Sequence, residues 1–193
     1  MRLLGISGSL RAASTNTAAL RAAALLAPAG CAIVLCDALA QLPPFNPDRD
    51  GVDLPPPVAA FRAAIAAADG LLIAAPEYAH GVSGVLKNAL DWLVAGAEFP
   101  EKPVALINAS PRATLAQPQL RETLLTMAGR VIDEAAVTLP LLGRDLDAAA
   151  IAADPALAMP LRAALDRLIA AIVAGRHGAD DRLPPDDRLL GSG

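Results

Sequence analysis

The chain has 193 residues, 54% of them hydrophobic, and a formal net charge of −4, a length that suits one domain with a sizeable core. This balance disfavours nucleic-acid binding, because the lysines Lys87 and Lys102 and the scattered arginines form no basic face. A membrane span is also disfavoured, because residues 22–36, the longest uncharged stretch, fall short of the ~20 apolar residues that a span needs and contain Pro28 and Gly30.

The first predicted element is a strand, which is followed by a loop and a helix. Leu4 and Ile6 belong to an apolar run typical of a strand that is buried on both faces, and Gly8 lets the backbone turn. Ser14 or Asn16 can cap the helix, which carries alanines and leucines at helical spacing. Such a loop favours anion binding, because free N–H groups and the positive end of the helix dipole point into it.

The polar side chains of this loop form a candidate phosphate site. They are Ser9, Arg11, Ser14 and Asn16, and Arg11 adds a forked, permanently charged donor. The alternative is that Ser14 and Asn16 only cap the helix and that Arg11 is a solvated surface charge. Each residue alone favours this alternative, but together, between a strand and a helix, they favour the anion site.

Residues 31–36 form a continuous apolar run, which predicts a second strand covered on both faces. Cys31 and Cys36 lie too far apart along this strand for a disulfide and are expected to be buried, inert thiols. Asp37 is interpreted as a polar strand end and not as a ribose ligand, since the first loop has no GxGxxG sequence. No metal site is expected, and with no secretory signal after Arg2 we expect a cytoplasmic location.

Strands and helices alternate in the rest of the chain. After a proline-stiffened loop, the predicted elements are a helix over residues 58–68, strands at 71–75 and 104–107, helices at 85–93 and around 120–127, an irregular fifth strand region at 131–142 and a helix at 155–174. Five strands alternating with helices predict a doubly wound α/β fold. The loops after the first, third and fourth strands then meet at the carboxyl edge of the sheet, where such folds bind ligands.

The predicted organisation is one domain over residues 1–175 and a disordered tail over residues 176–193. The length leaves no room for a second domain of similar size. The tail is predicted from its charged residues, its glycines and prolines, and its lack of apolar periodicity.

Motifs after the first and third strands resemble one known family. They are Ser9-Leu10-Arg11-x-x-Ser14-x-Asn16 after the first strand, and Pro76-Glu77-Tyr78 with Gly84-Val85-Leu86-Lys87-Asn88-Ala89-x-Asp91-Trp92 after the third. In order and spacing these motifs are similar to those of the NADPH-dependent FMN reductases, flavodoxin-like enzymes that include quinone and chromate reductases. The resemblance extends to about residue 174 and implies a five-stranded parallel sheet of order 2-1-3-4-5 with helices on both faces.

The resemblance implies an enzyme that passes electrons from NADPH or NADH through bound FMN to a small acceptor, such as a quinone or free flavin. The implied cofactor-binding residues are, at the phosphate, Ser9, Arg11, Ser14, Thr15 and Asn16, and, around the isoalloxazine ring, Pro76, Glu77, Tyr78, Ala79, Gly81 and Ser110. A homodimer or a tetramer is also implied, with the helix that bears Lys87, Asp91 and Trp92 near the subunit contact. No catalytic acid or base is predicted, because the protein needs only to bind, orient and tune the flavin.

The sequence departs from the family pattern around the ring. Ala79 stands where Asn is common, and Ser83 stands where proline is common. Residues 110–113 (Ser-Pro-Arg-Ala) lack the glycines that many members carry. These positions concern contacts with the edge of the ring and the choice of substrate.

Other functions are weighed against this one. A flavodoxin-type electron carrier would share the fold, but it usually has a Thr-rich phosphate loop and a strongly acidic docking face. A phosphatase of similar architecture needs a nucleophilic cysteine in the first loop, and residues 7–14 contain none. A flavin-free domain that uses the loop structurally is the remaining alternative. Tyr78 could merely pack, His80 is expected to be solvated or at a dimer contact, and Lys87 with Asp91 is expected to form a surface pair worth ~0.5 kcal/mol.

Overall fold

The computed structural model describes residues 1–51 and 53–180, with side chains up to residue 176. Its elements in chain order are β1 (Arg2–Ser7), α1 (Thr15–Leu26), β2 (Ala32–Cys36), α2 (Pro56–Ala66), β3 (Gly70–Ala74), β4 (Glu77–Tyr78), β5 (Gly81–Val82), α3 (Gly84–Asp91), β6 (Pro103–Asn108), α4 (Ala116–Thr126), β7 (Arg130–Val131), β8 (Val137–Thr138), α5 (Ala148–Ala153) and α6 (Pro155–Asp180). Each predicted helix and strand has a counterpart among them, so the predicted α/β alternation is confirmed.

The strands β1, β2, β3, β6, β7 and β8 form one sheet in which every pairing is parallel. Its order is β2-β1-β3-β6, with β7 and β8 both paired to the outer edge of β6. The predicted order 2-1-3-4-5 is confirmed, because β7 and β8 share the fifth position. The predicted fifth strand is thus split into two short strands by a 3₁₀ turn at Asp133–Ala135.

Buried side chains cover both faces of the central strands. In β3, Leu72 packs with residues of α1 and α6, whereas Leu71 and Ile73 pack with residues of α2, α3 and α4. This alternation follows from the two-residue period of a strand, and each of these fully buried side chains contributes roughly 1.5–3 kcal/mol to stability. The predicted helices on both faces are confirmed, and they hold the carboxyl ends of β1, β3 and β6 at one edge.

The second strand differs from its prediction. β2 forms an edge of the sheet, and its Val34 is 43% exposed, so the strand is not covered on both faces. An apolar run cannot by itself distinguish an edge strand from a central one. Cys31 and Cys36 are free and only partly buried, and burial raises the pKa of the Cys36 thiol, which keeps it protonated at neutral pH.

Helix α3 holds the long loop between β2 and α2. Asn88 accepts a hydrogen bond from the backbone N–H of Phe45 at 2.7 Å and donates one to the carbonyl of Pro43 at 3.0 Å. Trp92 donates its indole N–H to the same carbonyl at 2.8 Å, and its ring meets that of Phe45 edge to face at 5.0 Å. Two residues of the motif in α3 therefore serve the packing of this loop.

Another face of α3 is exposed. Lys87 and Asp91 form the predicted (i, i+4) pair there, with Nζ and Oδ1 2.6 Å apart, and at the surface such a pair is worth only about 0.3–0.5 kcal/mol. Trp92, next along the chain, is fully buried. Trp92 therefore packs inside its own subunit, and only the exposed residues of this helix are available for a contact between subunits.

Helix α5 has no counterpart in the sequence prediction. It is six residues long and consists of alanines and one isoleucine, so it shows no apolar periodicity. The Asp147 carboxylate caps it by accepting a hydrogen bond from the N–H of Ala150 at 2.7 Å. Local capping and packing against α1 and α6, rather than an amphipathic pattern, account for this helix.

The last helix is longer than its prediction. The sequence predicts an end at residue 174, whereas α6 continues to Asp180. Arg176 forms an ion pair with Asp69, so the additional turn is held beside β3. Residues 181–193 of the predicted tail lie outside the described residues. Although α6 has 26 residues, no helix in the described part of the chain is long and apolar enough to cross a membrane.

A short hairpin of β4 and β5 connects β3 to α3. The two strands pair antiparallel, which leaves Ala79 and His80 as the turn. Their φ values are 49° and 62°, in the left-handed region that a type I′ turn requires at both central positions. Asn and Gly suit this region, whereas alanine is strained there by roughly 1–2 kcal/mol.

Replacing Ala79 by Asn is expected to raise the free energy of unfolding by about 0.5–1 kcal/mol, because Asn tolerates a positive φ better than Ala does. Urea unfolding followed by Trp92 fluorescence measures the change. Ala136→Asn is the matched control, since Ala136 is exposed and has a φ of −69°. An equal gain at both positions, or a loss at position 79, would contradict strain in the hairpin turn.

Candidate functional site

A cleft opens at the carboxyl edge of the sheet, beside the ends of β1, β3 and β6. Its volume is about 330 Å³, which is within the range of small-ligand sites. The residues that line it are Ser9, Arg11, Ser14, Thr15, Asn16, Ala75, Pro76, Glu77, Tyr78, Asn108, Ala109, Ser110, Arg112, Ala113 and Leu142. Every predicted cofactor-binding residue lines this cleft except Ala79 and Gly81, which lie in the turn and the second strand of the hairpin.

The first and second loops touch at Gly8. Its N–H donates to the carbonyl of Ala74 at 2.8 Å, and its carbonyl accepts a 2.6 Å hydrogen bond from the buried hydroxyl of Ser83. A Cβ at position 8 would lie 3.0 Å from the Ser83 oxygen and 3.2 Å from the Cα of Ala75. A larger residue at position 8 would therefore push these neighbours apart by a few tenths of an ångström, and glycine fits this close approach without such a shift. A proline in place of Ser83 could not make the bond to the first loop.

The start of α1 faces the cleft. Ser14 is the N-cap, as predicted, and its hydroxyl accepts a hydrogen bond from the N–H of Thr17 at 3.2 Å. The first N–H groups of a helix have no partner within it, so those of Thr15 and Asn16 stay available for an anion. Arg11 is exposed at the same end and makes no ion pair with a carboxylate of the described residues.

Asn16 carries an unpaired polar atom in the cleft. The residue is 6% exposed, and its Oδ1 is buried without a hydrogen-bond partner in the part of the chain that the structure describes. A buried polar atom left unpaired costs about 1–3 kcal/mol. A ligand hydroxyl would satisfy it, so the donors and acceptors at this end fit a hydroxylated phosphate ester such as a flavin nucleotide.

Glu77 braces the hairpin against α4. Its Oε2 accepts hydrogen bonds from the N–H groups of Leu115 and Ala116, both at 2.8 Å, and its Oε1 lies 3.2 Å from Nδ1 of His80. The N–H of Ala116, followed by that of Leu115, holds the pKa of the Glu77 carboxyl below its ordinary value of 4.5. Gln119 adds a 3.1 Å bond to the carbonyl of His80. The Glu77 carboxylate thus holds the hairpin to the start of α4 by hydrogen bonds.

The hairpin brings an aromatic ring to the cleft. Tyr78 lines the cleft and is 56% exposed, which excludes the alternative that it merely packs in the core. The His80 side chain is exposed, as predicted, and does not line the cleft. Tyr78 is therefore the aromatic group available to a ligand here.

The third loop supplies cleft residues that the sequence prediction does not include. Asn108 accepts a hydrogen bond from the N–H of Ser110 at 3.1 Å and donates one to the carbonyl of Ala113 at 3.0 Å, so it holds the loop in shape. Arg112 and Leu142 also line the cleft. The position of Arg112 in the loop after the predicted fourth strand could have indicated that it lines the cleft. Nothing in the sequence around Leu142 indicates that Leu142 does so.

A three-loop cleft at the carboxyl edge of a parallel sheet of order 2-1-3-4-5 defines the flavodoxin-like class of proteins. The family model described as NADPH-dependent FMN reductase matches residues 1–141. The chain therefore belongs to the NADPH-dependent FMN reductase family, in agreement with the resemblance of its motifs.

Similar proteins have related names. An NAD(P)H-dependent FMN reductase of Pseudomonas aeruginosa is 45% identical over 130 residues, which are 65% of this chain and 70% of that protein. A probable NADPH:quinone oxidoreductase of Oryza sativa is 41% identical over 117 residues, which are 57% of this chain and only 56% of that protein. The structure of the flavoenzyme NAD(P)H:acceptor oxidoreductase of Paracoccus denitrificans is 28% identical and matches with a TM-score of 0.71, over 90% of this chain and 97% of that one.

Replacing Glu77 by Gln is expected to destabilise the protein at neutral pH, since the amide loses the charge-assisted bonds to Leu115 and Ala116. Because the folded-state pKa of Glu77 lies below its ordinary value of 4.5, the stabilisation is present above that pH and is lost as the pH falls through the folded-state pKa. The difference in unfolding free energy between wild type and variant should therefore be largest near neutral pH and shrink below pH 4.5.

Urea unfolding at a series of pH values measures this difference. Glu134→Gln is the matched control, since Glu134 is exposed and its side chain has no hydrogen bond within the described residues. A pH-independent difference for Glu77→Gln, or an equal difference for Glu134→Gln, would contradict the role of the Glu77 carboxylate.

Proposed function

We propose that this protein is an FMN-dependent oxidoreductase that takes electrons from NADPH or NADH and passes them through bound FMN to a small acceptor. The observation that carries the proposal is the convergence of three loops on one cleft, where the unpaired Oδ1 of Asn16, the exposed Arg11 and the free end of α1 lie together. Membership of the NADPH-dependent FMN reductase family supports the cofactor, and the names of the similar proteins support the reaction.

In this proposal the first loop holds the phosphate of FMN. Arg11 binds it through a charge-assisted fork, and the hydroxyls of Ser9 and Ser14 with the N–H groups of Thr15 and Asn16 complete the site. The Oδ1 of Asn16 accepts a hydrogen bond from a ribityl hydroxyl. Most of these donors are backbone groups and short side chains on a loop fixed by its contact with the second loop, so little conformational entropy is lost on binding.

The isoalloxazine ring is proposed to lie against Pro76, Tyr78 and the backbone of Glu77, with Ser110 at its edge. Pro76 stiffens the strand exit, and Tyr78 offers a flat amphipathic surface. Bound FMN would supply the chemistry, since a flavin accepts hydride from a nicotinamide and gives electrons to an acceptor. The residues of the chain bind and orient the ring and leave the cleft open to substrates.

The proposed acceptor is a quinone or free flavin. The quinone oxidoreductase among the similar proteins supports the first of these. The exposed apolar side chain of Leu142 and the ring of Tyr78 suit a planar molecule at the mouth of the cleft. Hydride transfer requires no acid or base from the protein. This agrees with the hydrogen bonds of the Glu77 carboxylate, which accepts from two N–H groups at the start of α4.

We further propose a cytoplasmic homodimer. Val94, after α3, and Leu115, beside the hairpin, are large apolar side chains exposed at the surface, and covering such residues in a subunit contact is favourable. Lys87 and Asp91 form an exposed pair on α3, which Val94 follows in the chain, and this pair is also available to a contact between subunits. The cytoplasmic location is supported by Cys31 and Cys36, which are free thiols, and by the proposed nicotinamide reductant.

Sedimentation velocity tests the dimer, and a species of single-chain mass would contradict it.

Arg11→Ala is expected to weaken FMN binding about tenfold or more, because a charge-assisted hydrogen bond contributes roughly 1.5–3 kcal/mol. Quenching of FMN fluorescence on titration with protein measures the affinity. Arg49→Ala is the control, since it removes the same charge from an exposed residue outside the cleft. Unchanged affinity in Arg11→Ala, or an equal loss in Arg49→Ala, would rule out Arg11 as a phosphate ligand.

The purified protein is expected to contain or take up FMN and then to oxidise NADPH or NADH steadily with a quinone, without a partner reductase. Visible absorbance measures the first step and the decrease of nicotinamide absorbance the second. A preparation that stays colourless with added FMN would overturn the cofactor. FMN-loaded protein without turnover would overturn the reaction and favour an electron carrier of flavodoxin type.

A further inference from the structure

The third loop carries a cation that the proposed FMN site does not use. Arg112 lines the cleft and also an adjoining groove of about 420 Å³ formed with Pro111, Pro140, Leu142 and Gly143. Its side chain is exposed and forms no hydrogen bond or ion pair within the described residues. Arg112 therefore lies where the cleft meets a second groove.

The loop that carries Arg112 is held in shape by its own hydrogen bonds. The N–H of Arg112 donates to the hydroxyl of Ser110 at 3.2 Å, and the N–H of Ala113 donates to the carbonyl of Ser110 at 3.0 Å. Asn108 closes the turn through the N–H of Ser110 and the carbonyl of Ala113. A cation on a fixed backbone loses less entropy when it binds a ligand than one on a mobile loop.

The surroundings of Arg112 favour an anion that carries a ring. The prolines of the adjoining groove are rigid and Leu142 is 55% exposed, so a planar apolar group can bury surface there. The other charged residues that line the cleft are Arg11, which the FMN phosphate would neutralise, and Glu77, whose carboxylate is engaged by α4. Among the charged side chains that line the cleft, Arg112 is thus the one that remains available to bind a second ligand.

We propose that Arg112 binds an anionic group of a planar substrate, so that this protein favours substrates that carry a negative charge beside the ring. The recognised chemistry is a phosphate, sulfonate or carboxylate paired with the guanidinium fork. It can come from the acceptor, as an acidic quinone, or from the reductant, as a phosphate of NADPH. This inference rests on the proposed function, since both substrates must reach the cleft beside bound FMN.

Calorimetric titration of the FMN-loaded protein tests this inference with redox-inert probes. Naphthalene-2-sulfonate is anionic, naphthalene-2-sulfonamide is its neutral match, and NADP⁺ represents the reductant. In Arg112→Gln, the affinity for the sulfonate or for NADP⁺ is expected to fall about tenfold, and the affinity for the sulfonamide by less than about twofold. Arg112→Lys keeps the charge without the fork and should lie between wild type and Arg112→Gln.

The probes also distinguish the two sources of the anion. A loss confined to the sulfonate assigns Arg112 to the acceptor, and a loss confined to NADP⁺ assigns it to the reductant. In the first case, the ratio of kcat/KM for 1,4-naphthoquinone-2-sulfonate to that for 1,4-naphthoquinone should also fall about tenfold in Arg112→Gln. Arg49→Gln, which removes the same charge outside the cleft, should leave this ratio as in the wild type.

An unchanged affinity for both anions, or an equal loss for the sulfonate and the sulfonamide, would overturn the inference. An equal loss of affinity in Arg49→Gln would also overturn the inference, since the loss would then result from the change in net charge. The flavin absorbance and quinone turnover of the wild type separate this failure from that of the proposed function. A protein that is loaded and active but shows unchanged probe affinities in Arg112→Gln overturns the role of Arg112 alone.

Discussion

The candidate site depends on the close approach of two loops at Gly8. Its backbone bonds to Ala74 and Ser83 hold the start of α1 beside the second loop, and a Cβ at position 8 would lie only 3.0–3.2 Å from its neighbours. Ser83 directly precedes α3, so the same contact positions that helix. Helix α3 in turn holds the long loop after β2 through Asn88 and Trp92. A backbone contact of a few atoms thereby orders both the cleft and one side of the domain.

Several residues of the recognised motifs stabilise the architecture of the site as well as lining it. Ser14 caps α1, and Glu77 satisfies the first N–H groups of α4. A carboxylate at a helix N-terminus interacts favourably with the helix dipole, so the hairpin is held to α4 where it borders the cleft. The strained turn at Ala79 depends on that anchor, because a two-stranded hairpin alone is marginally stable.

The two ends of the cleft are built from different groups. At the first loop, the donors proposed for the phosphate include the backbone N–H groups of Thr15 and Asn16, which any sequence compatible with the helix start would provide. At the third loop, the groups are the side chains of Ser110 and Arg112 on a turn held by Asn108. A change at Arg112 would therefore leave the donors proposed for the phosphate in place.

Local and periodic features were predictable from the sequence. The alternation of strands and helices and the first loop follow from apolar periodicity, capping residues and a motif contained within residues 7–16, because these depend on neighbours along the chain. The strand order came from the resemblance to a known family. The exposure of Val34 in β2 was not predictable from its apolar run, since burial of a strand's face depends on what packs over it. Likewise, Glu77 meets Leu115 across 38 positions of sequence, and no local pattern indicates that contact. The sequence by itself determined the main elements and the polar loop between β1 and α1. Only the tertiary structure decided that Glu77 binds α4 and that Arg112 and Leu142 line the cleft, because such contacts exist only once distant segments have packed together.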